Sequence, residues 1–181
     1  MEKKKNANKT IALITGVLTL VLTFVICIPF FIVLNKKGMT LAEIPGDMFA
    51  TVCITGTVCA LLQINTVKKN IAAGKVTPID ISDQAAYGII PAKLWAFLLA
   101  MIVFNFFIWD CGVMGFMHVF FPNATFGVWG YRLFKSFVVG LGAGFENYHA
   151  NIFYLGLYNK EDCEKELAAK AEKKAAKKAK K

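Results

Sequence analysis

Residues 10–34 form an uncharged run of 25 residues near the beginning of the chain. A helix needs about 20 mostly apolar residues to cross the hydrocarbon layer of a membrane, because each residue advances it by about 1.5 Å. The run is too long for the apolar region of a cleavable signal peptide, and no small-residue cleavage pattern ends it. The sequence therefore predicts a membrane span that stays attached to the chain.

The composition of the whole chain supports the same class of protein. Hydrophobic residues make up 56% of the chain and charged residues 18%, and the mean hydropathy is +0.51. A disordered chain would leave 16 Phe, 3 Trp and 5 Tyr in water, and the size and the cysteine positions exclude a small secreted disulfide scaffold. We expect an integral membrane protein.

Three further candidate spans follow, at residues 48–67, at 94–121, and from 128 to an end between 146 and 158. The third contains one carboxylate, Asp110, and the fourth contains Arg132, Lys135 and Glu146. The fourth therefore carries the most charged residues of the four candidates. The predicted fold is all-α, with four transmembrane helices that form two antiparallel hairpins, followed by a basic, helical tail.

The positive charges predict the orientation, since cytoplasmic loops near span ends carry the excess of Lys and Arg. The N-terminal flank, the connection 68–93 and the tail from residue 160 hold 17 of the 21 cationic residues. An even number of spans with both termini in the cytoplasm fits this distribution, and we expect a plasma membrane (bacterial inner membrane) location. The segments are a basic N-terminus (1–9), hairpin 1 (10–67), a cytoplasmic linker (68–93), hairpin 2 (94–158) and a Lys/Ala-rich tail (159–181).

The first hairpin has a turn at residues 35–38, Pro45 at the start of its second helix, and the pair Lys68 and Lys69 at the end of that helix. With these features the chain resembles small bacterial membrane proteins of unknown function that use a two-helix unit twice. The second hairpin departs from the pattern, because its basic residues lie within its helix. The resemblance implies the hairpin architecture and no activity.

Ionisable side chains inside a bilayer cost roughly 2.5 to 3.5 kcal/mol each and are usually paired or face a cavity. Folding helices three and four about their connection places Asp110 within a turn of Lys135 and His118 near the level of Arg132. We expect an intramembrane ion pair between Asp110 and Lys135, shared with Arg132, that locks two helices together. The alternatives are a path for a polar or anionic solute, and snorkelling of the two cations without a pair.

A second polar group is predicted in the cytoplasmic half of the membrane, formed by Gln63, Asn65, Glu146, Asn147 and His149. Its members could satisfy each other by hydrogen bonds, which is the interpretation we favour, or they could couple to a proton or ion. Glu146 and His149 have the spacing that puts two metal ligands on one helical face, but a di-iron site needs further Glu and His ligands. No metal or other cofactor is predicted.

Gly140 and Gly144 lie on the opposite side of the fourth helix from these charges, in a GxxxG spacing that lets another backbone approach. We expect helix packing there, including contact with a second copy of the chain. In the tail, Glu161 with Lys165 and Glu166 with Lys170 are favourable pairs four residues apart. The lysines of the tail predict contact with anionic inner-leaflet lipids, and the tail lacks the Arg and aromatic residues that nucleic-acid binding would need.

No nucleotide-binding, metalloprotease or hydrolase motif is present, so we expect no catalytic residues and no enzymatic activity. The expected role is a structural or accessory membrane subunit, or a homo-oligomer, whose partners are the lipid bilayer and either a second copy of the chain or another membrane protein. The alternative is a small oligomeric transporter or channel with a path along Asp110, Arg132, Lys135, Glu146 and His149.

Overall fold

The computed structural model describes residues 2–34, 36–80, 89–91 and 93–179. This part of the chain is mostly helical, as predicted. It contains five helices, which are α1 (Glu2–Leu34), α2 (Ile44–Ala72), α3 (Leu94–Phe120), α4 (Val128–Leu157) and α5 (Lys160–Ala179). Two short strands, β1 (Met39–Thr40) and β2 (Thr125–Phe126), lie in the α1–α2 and α3–α4 connections.

Among the described residues, three helices are long and apolar enough to cross a membrane, and not the four that the sequence predicts. They contain the stretches Asn8–Leu34, Ile44–Ala72 and Leu94–Phe120. The second is longer than predicted, because Pro45 lies in the first turn of α2 and the helix continues beyond Lys69. The segment predicted as a fourth span forms helix α4, which carries three charged side chains and is not among the helices apolar enough to cross a membrane.

α4 lies between α1 and α2. It packs extensively against both, whereas α1 and α2 make few contacts with each other in the part of the chain that the structure describes. The prediction that the first two helices pair directly is therefore wrong. Two faces of α4 make these contacts. Small residues on the face towards α1 allow the two backbones to approach closely, and polar residues on the face towards α2 have partners on that helix.

α1 buries only a narrow stripe, which includes Ala12, Thr23, Cys27 and Phe31. Leu, Ile and Val residues cover the rest of the helix and are exposed, as in Ile26, which is 65% exposed. In water an apolar surface of this extent would be strongly unfavourable. The surface of α1 therefore fits an environment of lipid.

The contact between α1 and α4 is a close approach of two backbones. A Cβ atom added at Gly144 would lie 2.8 Å from the carbonyl oxygen of Gly16, and one added at Gly140 would lie 3.0 Å from that of Leu20. Glycine is needed at these positions because the neighbouring atoms are backbone. α1 of the same chain thus covers the Gly140 and Gly144 surface, so a second copy has no access to it unless α1 moves.

α3 packs against α2 and meets α4 through side chains. The ring centroids of Phe97 and Phe153 lie 4.5 Å apart, and those of Phe104 and Phe145 lie 5.0 Å apart. These pairs run in opposite directions along the two helices, so α3 and α4 are antiparallel, as the prediction for the second hairpin required. Within α3, residues Phe106–Met114 form a π-helix between two α-helical parts.

The two strands bring the α1–α2 and α3–α4 connections to the same end of the bundle. Met39 pairs with Phe126 and Thr40 with Thr125 in an antiparallel arrangement. A Cβ atom at Gly38 would overlap the carbonyl oxygen of Phe126, so the chain needs glycine at this crossing. Asn35, the first residue of the predicted turn at 35–38, lies outside the described residues.

α5 is helical, as predicted for the tail, but its first half is docked on the other end of α2. Glu166 lies 2.5 Å from Lys68 of α2 and 2.8 Å from Lys170 of its own helix, and Cys163 is only 1% exposed. The hydrogen bonds from Lys170 and from Lys68 lower the pKa of Glu166 to about 2. The predicted pair of Glu161 and Lys165 is also present, at 2.7 Å.

Candidate functional site

The polar side chains of α4 form three separate clusters along the bundle. We name them the Lys135 cluster (Asp47, Tyr131 and Lys135), the Glu146 cluster (Asn105, Trp109 and Glu146) and the Asn151 cluster (Gln63, Asn147 and Asn151). Each joins α4 to α2 or to α3. The first lies at the end of the bundle where the two strands pair.

Lys135 is compensated by several groups at once. Its Nζ lies 2.6 Å from Oδ2 of Asp47, and the Tyr131 hydroxyl donates a hydrogen bond to the same oxygen. The Nζ also lies 4.6 Å from the centroid of the Phe31 ring, a favourable contact between a cation and an aromatic face. Lys135 is 3% exposed and Asp47 is 32% exposed, so the charge pair is buried at the lysine and open at the carboxylate.

Asp47 is the partner that the sequence reasoning missed. It lies in the first turn of α2, where carboxylates interact favourably with the helix dipole. The predicted span begins at Met48 and leaves Asp47 just outside it, so the sequence predicts no pair between Asp47 and Lys135. The side chain of Asp110 lies outside the described residues, and its predicted pairing with Lys135 stays a prediction.

Arg132 reaches the end of α1. Its guanidinium donates a hydrogen bond of 3.2 Å to the carbonyl oxygen of Ile32 and lies 4.9 Å from the centroid of a Trp129 ring. Ile32 is among the last residues of α1, whose carbonyls have no partner within the helix and attract a cation. His118, which was predicted near the level of Arg132, has its Nδ1 2.9 Å from the carbonyl oxygen of Met114 on its own helix.

The Glu146 cluster connects α4 to α3 at the beginning of the π-helix. Glu146 is 2% exposed, and its Oε1 accepts a hydrogen bond from the side-chain amide of Asn105. Asn105 in turn accepts a hydrogen bond of 3.1 Å from the indole of Trp109. Gly56 of α2 faces the same carboxylate, and any Cβ atom there would overlap it. The lack of a side chain at this position makes room for Glu146.

Asn105 was also missed, although the sequence contains a signal for it. It is the only Asn or Gln among residues 94–121, and an isolated amide in an apolar span needs a hydrogen-bond partner. The helix alignment that predicts Asp110 near Lys135 also predicts Ile102 opposite Glu146. The observed partner, Asn105, lies three residues further along α3, because the chain turns back between the two helices slightly later than that alignment assumes.

The predicted polar group of the cytoplasmic half is divided in the structure. Gln63 donates a hydrogen bond of 3.0 Å to Asn151, which donates one of 2.8 Å to the side chain of Asn147. Asn65 instead accepts a hydrogen bond of 3.3 Å from Lys170 of the tail. His149 packs on the Phe145 ring, with ring centroids 4.1 Å apart. Glu146 belongs to its own cluster.

These clusters hold helices together and do not form a recognisable metal centre. Among the described residues, no three His, Cys, Asp or Glu side chains come close enough to hold an ion. The amides and the lysine of the clusters already have partners within the chain. A groove with a volume of about 470 Å³ lies at the Lys135 cluster. It is lined by Phe30, Phe31, Leu34, Asp47, Thr51, Ile54, Thr55 and Lys135.

The fold and the clusters define a helical protein with three helices able to cross a membrane and a fourth, polar helix packed between two of them. Comparison of the chain with protein-family models, with curated proteins and with solved structures finds no match. The resemblance to small bacterial membrane proteins with a repeated two-helix unit stays a prediction.

Proposed function

We propose that the chain is a four-span protein of the plasma membrane with both termini in the cytoplasm, and that it acts as a structural or accessory subunit without catalysis of its own. The observation that carries this proposal is that the cations of α4 are bound by groups of the same chain, Lys135 by Asp47 and Arg132 by Ile32. These contacts join α4 to α2 and to α1, so the two charged side chains hold helices of one chain together.

The burial of α4 supports a fourth span. The protein buries 18 of its 30 residues, so the charged groups of α4 would face other helices and not lipid. Polar residues are tolerated in a membrane where they face the interior of a bundle. Low hydropathy is therefore compatible with a span in this helix, although it would not be in α1.

The contacts between α2 and α4 also extend far enough along the two helices for α4 to be a span. Asp47 and Gln63 of α2 contact Lys135 and Asn151 of α4, respectively. The two residues are sixteen positions apart on each helix, a distance of about 24 Å. α4 thus runs beside the candidate span α2 over most of the roughly 30 Å thickness of a hydrocarbon layer.

Cysteine labelling tests the topology. In a background without the native cysteines, Lys37→Cys, Asn123→Cys, Lys75→Cys and Lys173→Cys are treated with a membrane-impermeant maleimide on intact cells. All four wild-type positions belong to exposed residues. Four spans predict labelling of the first two only, and labelling of all four after permeabilisation. Labelling of Lys173→Cys in intact cells would mean three spans and would overturn the proposal.

The accessory role is tested by the mass of the particle purified in mild detergent. We expect either a stoichiometric second protein or a homo-oligomer assembled through a surface other than the Gly140 and Gly144 seam. A strict monomer with no stoichiometric partner would contradict the accessory role.

One observation favours the alternative function, a small oligomeric transporter whose path includes Asp110, Arg132, Lys135, Glu146 and His149. Among the described residues the hydrogen-bond donor to buried Glu146 is the neutral amide of Asn105 and not a cation. Buried carboxyl groups of this kind carry protons in pumps and transporters. Purified protein in liposomes with a pH-sensitive dye tests it: a proton flux that Glu146→Gln abolishes would favour transport, and equal dye traces for protein and empty liposomes would refute it.

A further inference from the structure

α4 keeps α1 and α2 apart, and at the Lys135 cluster the gap between them remains open as a groove. Its volume of about 470 Å³ falls within the roughly 300 to 1,000 Å³ range of small-molecule sites. Lys135 of α4 and Phe31 of α1 contribute to its lining, and their contact closes the side nearest α4.

The groove opens towards the outer surface of the helices. Among its lining side chains, Ile54 is 66% exposed and Phe30 is 58% exposed. Both belong to helices that are long and apolar enough to cross a membrane. In the four-span arrangement proposed above, on which this inference rests, the opening therefore faces acyl chains.

The lining combines polar and apolar side chains. Asp47 lies in the first turn of α2, at the level of the short strands, and Phe30, Phe31 and Leu34 belong to the last turns of α1, at the same end of the bundle. Ile54 lies seven residues further along α2 than Asp47, about 10 Å deeper. A carboxylate at the membrane surface beside apolar side chains that continue to Ile54 matches the two parts of an amphiphile.

The charge at the polar end selects the type of headgroup. Lys135 and Tyr131 both donate to Oδ2 of Asp47, and within the described chain Oδ1 of this one-third exposed carboxylate accepts no hydrogen bond. The lysine itself is almost completely buried. The groove thus presents an acceptor oxygen and not a free cation, so it favours a headgroup that donates hydrogen bonds.

We propose that this groove binds one phospholipid with a primary ammonium headgroup, of the phosphatidylethanolamine class. The ammonium donates to the free oxygen of Asp47, and one acyl chain lies along Phe30, Leu34 and Ile54. The phosphate stays at the water interface, away from the carboxylate. The bound lipid fills the space that α4 opens between α1 and α2.

Native mass spectrometry tests the site with protein taken from nanodiscs of defined lipid. Phosphatidylethanolamine, phosphatidylcholine and phosphatidylglycerol with the same acyl chains are compared. The quaternary ammonium of phosphatidylcholine has no N–H group to donate, so it isolates the hydrogen bond from the charge. We expect one retained phosphatidylethanolamine per chain and at least tenfold less retention of the other two lipids. Equal retention of all three would overturn the proposal.

A groove-filling variant locates the binding. Ile54→Trp places a large ring in the groove, and Leu62→Trp is the matched control on the same helix, at a side chain that is 68% exposed and outside the lining. We expect Ile54→Trp to lose the retained lipid and Leu62→Trp to keep it. Equal retention in the two variants would refute the site. The cysteine labelling pattern is independent of lipid retention, so a correct four-span topology without a retained lipid would reject this site alone.

Discussion

Replacing Asp47 by asparagine removes the carboxylate that compensates Lys135. The lysine is 3% exposed, so in Asp47→Asn its charge would stay buried with only a neutral amide and two aromatic faces beside it. Breaking a buried pair from one side costs about 3 to 5 kcal/mol. Since Asp47 is 32% exposed, water can partly replace it, and we expect the lower end of this range, about 3 kcal/mol, or about a 100-fold smaller folding constant.

The assay is a double-mutant cycle of unfolding free energies in detergent micelles, with Asp47→Asn, Lys135→Met and their combination. The combined variant should be destabilised by much less than the sum of the single changes, because removing Lys135 also removes the buried charge. The surface pair of Glu164 and Lys160 is the control, and Glu164→Gln should change the free energy by less than about 1 kcal/mol. Additive values for Asp47→Asn and Lys135→Met would refute the reasoning.

A second cycle with Asp110→Asn and Lys135→Met separates the two candidate partners of the lysine. If Asp47 is the partner, as its contact of 2.6 Å indicates, this cycle should be additive. Coupling in both cycles would mean that the two carboxylates share the lysine.

Three other predictions follow from single contacts. Gly56→Ala should destabilise the protein by about 1 to 3 kcal/mol, because its Cβ atom would overlap the Glu146 carboxylate. The control Gly46→Ala should not destabilise it, because the added Cβ atom meets no neighbour within 4 Å. Unfolding in detergent measures both variants. Gly144→Ala should cost a similar amount because the added atom meets the backbone of α1, and Gly130→Ala is its control. Glu166 has its pKa lowered to about 2 in the folded chain, so its contribution to docking α5 is present above the ordinary carboxylate range and is lost as the pH falls through about 2. Increased mobility of a spin label on α5 in acid, absent in Glu166→Gln, would confirm this.

The three stretches that are able to cross a membrane could be predicted because they depend on residues close in sequence. The first uncharged run, residues 10–34, lies within the membrane-crossing stretch Asn8–Leu34, and its apolar content is a property of the run itself. The tail helix is similar, because alanine content and pairs four residues apart act within one helix. The beginning of α2 was placed too late, since a carboxylate such as Asp47 in a first turn looks like the end of an apolar segment.

The partners of the buried charges could not be predicted by the same means. The prediction paired helices that are neighbours in sequence, so Lys135 was assigned to α3, whereas α4 packs between α1 and α2 and the lysine contacts Asp47 of α2. That packing is determined by contacts between distant residues, such as Gly144 with Gly16. The partner of Glu146 was predicted wrongly for another reason. The predicted alignment of α3 and α4 is wrong by three residues, so it puts the apolar Ile102 opposite Glu146, where the structure has the hydrogen-bond donor Asn105.

Among the described residues, α4 is the bundle helix without a stretch apolar enough to cross a membrane, and it lies between α1 and α2. On the four-span arrangement that we propose, this has a consequence for assembly. Three charges of α4, each costing roughly 2.5 to 3.5 kcal/mol in lipid, would oppose its insertion as an isolated helix. α1 and α2 have long uncharged apolar stretches and can insert alone. α4 becomes favourable in the membrane only where Asp47, the end of α1 and Asn105 are already present to receive its side chains. Insertion of α4 should therefore depend on the preceding helices: Asn123→Cys and Lys173→Cys would be labelled on opposite sides of the membrane in the intact chain, and on the same side when residues 2–72 are deleted.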